Sequence, residues 1–368
     1  MQEVYRVLKP SAAPWLLCDV KDFALVADGA ALRYGAGMGR SVASFDANGL
    51  GQFSSDPGSQ QHSKLKTQRA TTFLVAMKAT VRILVIGIIF IPLADSRSII
   101  HSKTLRYIPQ KKLTVSEPPP EWFGNGPNAE GDKKWTNKNW LKSRFHFSFA
   151  EYSNPRNTNF GVLRVMNDDL VQPKRGFGTH PHRNMEIVTY IIQGKLTHQD
   201  SMGTSESLGR GSVQFMTAGT GIRHSEKNAE ADPLRFIQMW LVPKANGLTP
   251  NYGSMCGTKI NFDNQWAHIV SSTESDAKTP VKINCEANIK VAVLKEKKSI
   301  EFNLSKNRQA YFLAMEGSPI VEGEFGSQKF EQHDAAELYG EEKFKISGPG
   351  HVLIVEMDSD GQGGRSDI

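Results

Sequence analysis

From Trp135 to Met357 the chain is written in short alternating segments cut by glycine, a texture that few folds accommodate. Residues 145–149 and 160–165 alternate, 187–192 form an apolar run, and 234–240 alternate again. Side chains on a strand point to opposite faces in turn, so these segments read as strands. Gly194, Gly203, Gly209, Gly211, Gly219 and Gly221 punctuate them. Many short strands at such spacing predict an all-β sandwich or barrel. After residues 243–250 a second set follows, at 290–294, 299–304, 309–315, 320–323, 344–347 and 351–357, and reads as a second copy of the same architecture.

A chain of 368 residues has room for two domains of ordinary size. Apolar residues at 39% and charged residues at 22% exclude a wholly disordered chain. The net charge of +6 is spread over 44 basic and 38 acidic residues, with no domain-wide basic field, so direct nucleic-acid binding is not expected. Cys18, Cys256 and Cys285 lie far apart without C-x-x-C spacing, which fits reduced thiols. Any metal is therefore held by nitrogen and oxygen.

The N-terminal third reads differently. Residues 1–76 show no sustained period and are expected to form a disordered extension of no assigned fold. Residues 77–98 carry a positive start and the run ILVIGIIFIPLA, which resembles a secretory signal and falls short of the roughly 20 residues of a spanning helix. Two readings stand: Met77 is the true start of a secreted or organelle-targeted chain, or the segment is a buried or membrane-associated helix. Residues 99–133, containing EPPPEW, read as a linker because proline withholds backbone donors. The two domains are then expected at 134–243 and 244–358, with a tail at 359–368.

The chemistry concentrates in two stretches. In Gly178-Thr179-His180-Pro181-His182, two histidines stand two apart in a strand context, so both face one side and can share an ion; the same period extends to Glu186. Forty-two residues after His182, a glycine-rich turn leads into His224-Ser225-Glu226, another pair on one face. Imidazole with carboxylate suits Fe, Mn, Co, Ni, Cu or Zn rather than Ca or Mg. Spacing alone leaves Glu186 and Glu226 both open as the carboxylate.

GFGTHPHRNMEIVTYIIQGKLTHQDSMG and GSVQFMTAGTGIRHSEKN resemble the two cupin motifs in the form found in the pirin family, and more closely its bacterial quercetin 2,3-dioxygenase branch. The likeness runs from about Trp140 to Met357 and takes in RFHFSFAEY, the NDDLVQP turn and the WLVPKANGLTPNY connection. It implies two cupin barrels of the double-stranded β-helix, or jelly-roll, type. The first would hold one divalent transition metal, iron before Ni, Mn, Co, Cu or Zn, through His180, His182, His224 and Glu226; the second would be metal-free. The general cupin pattern would instead take Glu186 with the three histidines.

The resemblance further implies a monomeric, cytoplasmic dioxygenase that opens a flavonol-like substrate with O₂, giving a depside and carbon monoxide, with Glu226 as proton acceptor. The rival class is an iron-dependent redox sensor of the pirin type that docks onto a transcription factor. His333 and His351 stand without a partner two residues away, and His146, His198 and His268 read as packing or surface groups. Met216, Met239, Phe215 and Phe236 read as core, and Arg223 as a residue for a substrate anion or a surface carboxylate.

Overall fold

The computed structural model describes residues 104–125 and 140–359. The expectations for the extension at 1–76, the apolar segment at 77–98 and the tail beyond Ser359 lie outside the described residues. Among the described residues no helix is long and apolar enough to cross a membrane.

Among the described residues twenty-two strands follow one another, joined by loops and three short 3-10 turns. They are β1 (Leu105–Ile108), β2 (Thr114–Ser116), β3 (Leu141–Phe145), β4 (Leu163–Val171), β5 (Gly176–His182), β6 (Glu186–Gln193), β7 (Lys195–Asp200), β8 (Ser205–Gly209), β9 (Val213–Thr217), β10 (Ile222–Lys227) and β11 (Leu234–Leu241). The second half runs through β12 (Asn251–Met255), β13 (Ala267–Ser272), β14 (Val281–Ile283), β15 (Ala287–Leu294), β16 (Ser299–Leu304), β17 (Arg308–Gly317), β18 (Ile320–Gly323), β19 (Gly326–Lys329), β20 (Ala335–Leu338), β21 (Glu342–Ser347) and β22 (Gly350–Asp358).

Each half builds a barrel from a large and a small sheet. The first joins β12-β9-β6-β11-β4-β3-β2 to β5-β10-β7-β8; the second joins β1-β20-β17-β22-β15-β13-β14 to β16-β21-β18-β19. The two seven-stranded sheets share one apolar core, in which Val188, Tyr190, Ile237 and Met239 pack with Tyr311, Leu313, Leu353 and Val355. The other face of the first large sheet lines its own barrel, where Ile191 and Phe236 bury against Leu196 and Leu208 of the small sheet. A strand buried on both faces must be apolar at every position. Ile187–Ile192 is buried at every residue for that reason, and its one break, Thr189, satisfies its hydroxyl on Gln238 Oε1 at 2.7 Å.

Polar residues join the two large sheets as well. Arg235 grips Asp168 through Nε (2.8 Å) and Nη2 (2.6 Å), and His333 of the second barrel reaches Asp168 Oδ2 at 2.6 Å. His351 lies between Tyr190 Oη and Glu316, 2.9 Å from each.

Three expectations need correction. The stretch expected as a linker, 99–133, is built into both barrels where it is described: β1 pairs with β20, β2 pairs with β3, and Pro120 opens a 3-10 turn over Pro120–Phe123. Leu105 is buried in the second core, and a proline at the first position of such a turn loses no hydrogen bond. The border expected at 243/244 falls too early, because β12 pairs with β9 in the first barrel. The NDDLVQP stretch is not a turn as far as Val171: Asn167, Asp168 and Asp169 lie inside β4, where Asp168 is ion-paired and Asp169 accepts from Ser143.

Candidate metal centre

β10 lies between β5 and β7, and its register decides what meets across it. His224 stands opposite His180 on β5, and Ile222 opposite His182. Directly opposed residues in an antiparallel pair share a face, so the three imidazoles converge on the barrel interior. Between His224 and Glu226 the register shifts by one extra residue of β5, a bulge that sets Glu226 opposite Phe177. Glycine is required at Gly178, where a Cβ would stand 2.9 Å from the Phe123 carbonyl oxygen. It is required again at Gly221, whose φ of 138° in the turn before β10 is closed to other residues.

The rings form a near-equilateral triangle, with centroids 4.8 Å apart for His180–His182, 4.5 Å for His180–His224 and 4.8 Å for His182–His224. The Nε2 atoms of His180 and His224 are 3.1 Å apart. His180 Nδ1 donates to the Gly178 carbonyl at 2.7 Å, which leaves the lone pair on Nε2, the arrangement of a metal-binding histidine. Burial pushes His180 down to about 4 and, with the neighbouring imidazoles, holds His182 and His224 well below the usual range. Three neutral nitrogen donors within 4.8 Å of one another, those of His180 and His224 buried and that of His182 half-buried, fit a d-block cation.

Glu226 is 2% exposed. Gln238 Nε2 donates to its Oε2 at 2.7 Å and Gln214 Nε2 to its Oε1 at 3.0 Å. Burial raises its carboxyl to about 7 against these hydrogen bonds. Its ligand atoms group with those of His224 and His198, all within 4.8 Å, so His224 is common to both sets. Aromatic rings wall the centre: Trp240 meets His182 edge-on at 4.8 Å, and Phe123 of the 3-10 turn meets His180 at 5.8 Å.

Glu186 stands elsewhere. The chain turns at Asn184, whose φ is 50°, so the alternation of β5 does not continue to Glu186. Its carboxylate accepts from Thr217 Oγ1 at 2.9 Å and Asn284 Nδ2 at 3.2 Å and belongs to neither group. His146 bonds Tyr311 and His268 bonds Asn288, as packing groups do. Phe215, Met216, Phe236 and Met239 are buried, and Arg223 is exposed. Among the described residues the second barrel gathers no comparable cluster.

His198, read from the sequence as packing or surface, lies at the centre instead. It is 1% exposed and its ring is 5.3 Å from that of His224. The signal was present in Thr197-His198-Gln199-Asp200, a further pair two apart, but it acquires meaning only once β7 is known to flank β10.

Comparison with known proteins agrees with this geometry. The Pirin family profile matches residues 129–241, and the profile of the quercetinase C-terminal cupin domain matches 268–358. Quercetin 2,3-dioxygenase of Escherichia coli K12 is 37% identical over 225 residues, which cover 60% of this chain and 93% of that protein. A pirin-like protein of Caulobacter vibrioides is 40% identical over 184 residues, covering 50% and 79%. Among solved structures, the bacterial pirin YhhW from Escherichia coli in complex with nickel(II) matches with a TM-score of 0.54 at 29% identity, over 67% of this chain and 99% of that one.

Proposed function

Since the chain belongs to the pirin family, of bicupin fold and similar to its bacterial quercetin 2,3-dioxygenases, we propose that it is a metal-dependent dioxygenase opening a flavonol-like substrate with O₂. The observation that carries the reading is the triangle of neutral imidazoles from His180, His182 and His224, with the Glu226 carboxylate one strand position beyond the bulge. Together these residues would hold one divalent transition ion. Iron is favoured by the family resemblance, and nickel is the ion in the YhhW complex. Bound there, the ion supplies Lewis acidity toward a substrate oxygen and a route for electron density to O₂.

The chain's own residues prepare that chemistry. Glu226 can take the proton of a flavonol hydroxyl and hold it on a carboxylate oriented by Gln214 and Gln238. Trp240 and Phe123 exclude water and offer aromatic faces to a flat ring system. Oxygen uptake by metal-loaded protein with quercetin is the test: uptake above that of His180→Ala supports the reading, and equal rates overturn it.

One observation favours the redox-sensor reading. His180, His224 and Glu226 are no more than 7% exposed. His182 is half-buried, but a centre with its other groups this enclosed can change oxidation state without admitting a substrate. Iron-loaded protein that cycles between ferrous and ferric forms while consuming no oxygen with flavonols would favour this second reading.

A further inference from the structure

β7 flanks β10 on the side away from β5 and repeats the spacing of β5, with His198 and Asp200 two apart on one face. The register sets His198 opposite Glu226 and Asp200 opposite His224. His198 Nε2 lies 3.2 Å from Asp200 Oδ2, while Asp200 Oδ1 accepts from the backbone amides of Met202 and Thr204. The carboxylate, itself anchored, thus keeps the ring proton on Nε2 and the lone pair on Nδ1. That Nδ1 is buried without a hydrogen-bond partner. Tyr252 stacks on the ring at 4.5 Å and 19°, fixing its plane.

His224 has the same loose end. Its Nε2 faces His180, and its Nδ1 is buried without a partner. Because the Gly178 carbonyl keeps the lone pair of His180 on Nε2, His224 Nε2 donates to it across 3.1 Å, and the lone pair of His224 rests on the unpartnered Nδ1. Transfer of the ring proton to Nδ1 would move that lone pair to Nε2, so either nitrogen can serve an ion, one at a time. Glu226 Oε1 accepts from Gln214 at 3.0 Å and Thr189 at 3.4 Å, whereas Oε2 accepts from Gln238 alone and keeps a lone pair.

We propose that His198, His224 and Glu226 form a second seat for a divalent late first-row ion, distinct from the seat of His180, His182 and His224. Carboxylate-oriented imidazole with a buried, unshared lone pair is the donor such ions select. Because a neutral imidazole offers one lone pair, the shared His224 serves one seat at a time. The centre holds one ion that has two places to rest. The proposal requires metal binding only, and no turnover, so it stands or falls apart from the dioxygenase reading.

Cobalt(II) titration followed by visible absorbance tests it. In His180→Ala/His182→Ala, which removes the first seat, one equivalent of cobalt is expected to bind. Adding His198→Asn should weaken that binding at least about tenfold. A double variant that takes up no cobalt, or a triple variant that binds as well as the double, overturns the proposal. A second arm guards against misfolding and uses the chain with its first seat intact. Its cobalt spectrum should contain two components and collapse to one in His198→Asn; a single component unchanged by the substitution is likewise fatal.

Discussion

His180 and His224 stand directly across from one another on adjoining antiparallel strands, with their Nε2 atoms 3.1 Å apart. A single N–H···N hydrogen bond between two neutral imidazoles is a weak hold, and a cation that takes both lone pairs replaces it with two stronger bonds. A saturating divalent metal should therefore raise the unfolding free energy by about 3 kcal/mol at a hundredfold excess over Kd. His224→Ala should abolish the gain, as read by thermal melts with and without metal. A variant that keeps the full metal-induced shift would remove His224 from the centre.

The support of His180 is as specific as the residue itself. In Gly178→Ala the new methyl would stand 2.9 Å from the Phe123 carbonyl oxygen, forcing apart the 3-10 turn and the carbonyl that orients His180. Metal affinity should fall by about 10- to 100-fold, the usual cost of disturbing a ligand's hydrogen-bond partner. Competition with a chromophoric chelator measures it, and unaltered affinity would mean that the turn gives way without cost.

Glu226 links the centre to pH. Its carboxyl rises from 4.5 to about 7 on folding, so the folded metal-free protein keeps a proton that the unfolded chain has already lost. Its contribution is intact below about pH 4.5 and is lost as pH rises through about 7, the opposite of an ion-paired carboxylate. Glu226→Gln deletes that dependence. Relative to the variant, the parent should lose about 3 kcal/mol over this window in urea unfolding of metal-free protein. A difference that stays flat with pH contradicts the assignment.

Asp168 bears on the contact between the barrels. It is fully buried and held by Arg235 and His333, and the Arg235 guanidinium keeps its carboxyl far below the usual range against the pull of burial. Asp168→Asn would strand a buried guanidinium and should cost about 3–5 kcal/mol. His333→Gln, which leaves the Asp168–Arg235 pair whole, should cost clearly less. Calorimetric melts of both variants compare the two, and equal losses would show that His333 carries as much of the contact as Arg235.

What could be read in advance followed from how local the cause was. His180 and His182 were legible because strand alternation alone puts them on one face, and the barrel pair followed from glycine spacing. Glu186 was misplaced as a continuation of that face because a turn at Asn184 breaks the period between β5 and β6. His198 was passed over because its neighbour Glu226 lies 28 residues on and meets it only across the β7–β10 ladder. Asn167-Asp168-Asp169 read as a turn because those residue types favour turns, and the partners that keep them in a strand, Ser143, Arg235 and His333, are remote in sequence.

The two barrels are laced rather than strung. β1 leaves the N-terminal side of the chain to edge the second barrel, and β12 stays behind with the first. Both laces fall outside the ranges 129–241 and 268–358 that the family profiles match. Cutting the gene at those borders would strip β20 and β9 of their outer neighbours, and β3 of β2 as well, and leave three raw sheet edges primed to stick to other chains. Any halving of this protein that is to yield soluble pieces must move each lace with the barrel it borders, and for β1 no single cut can do so.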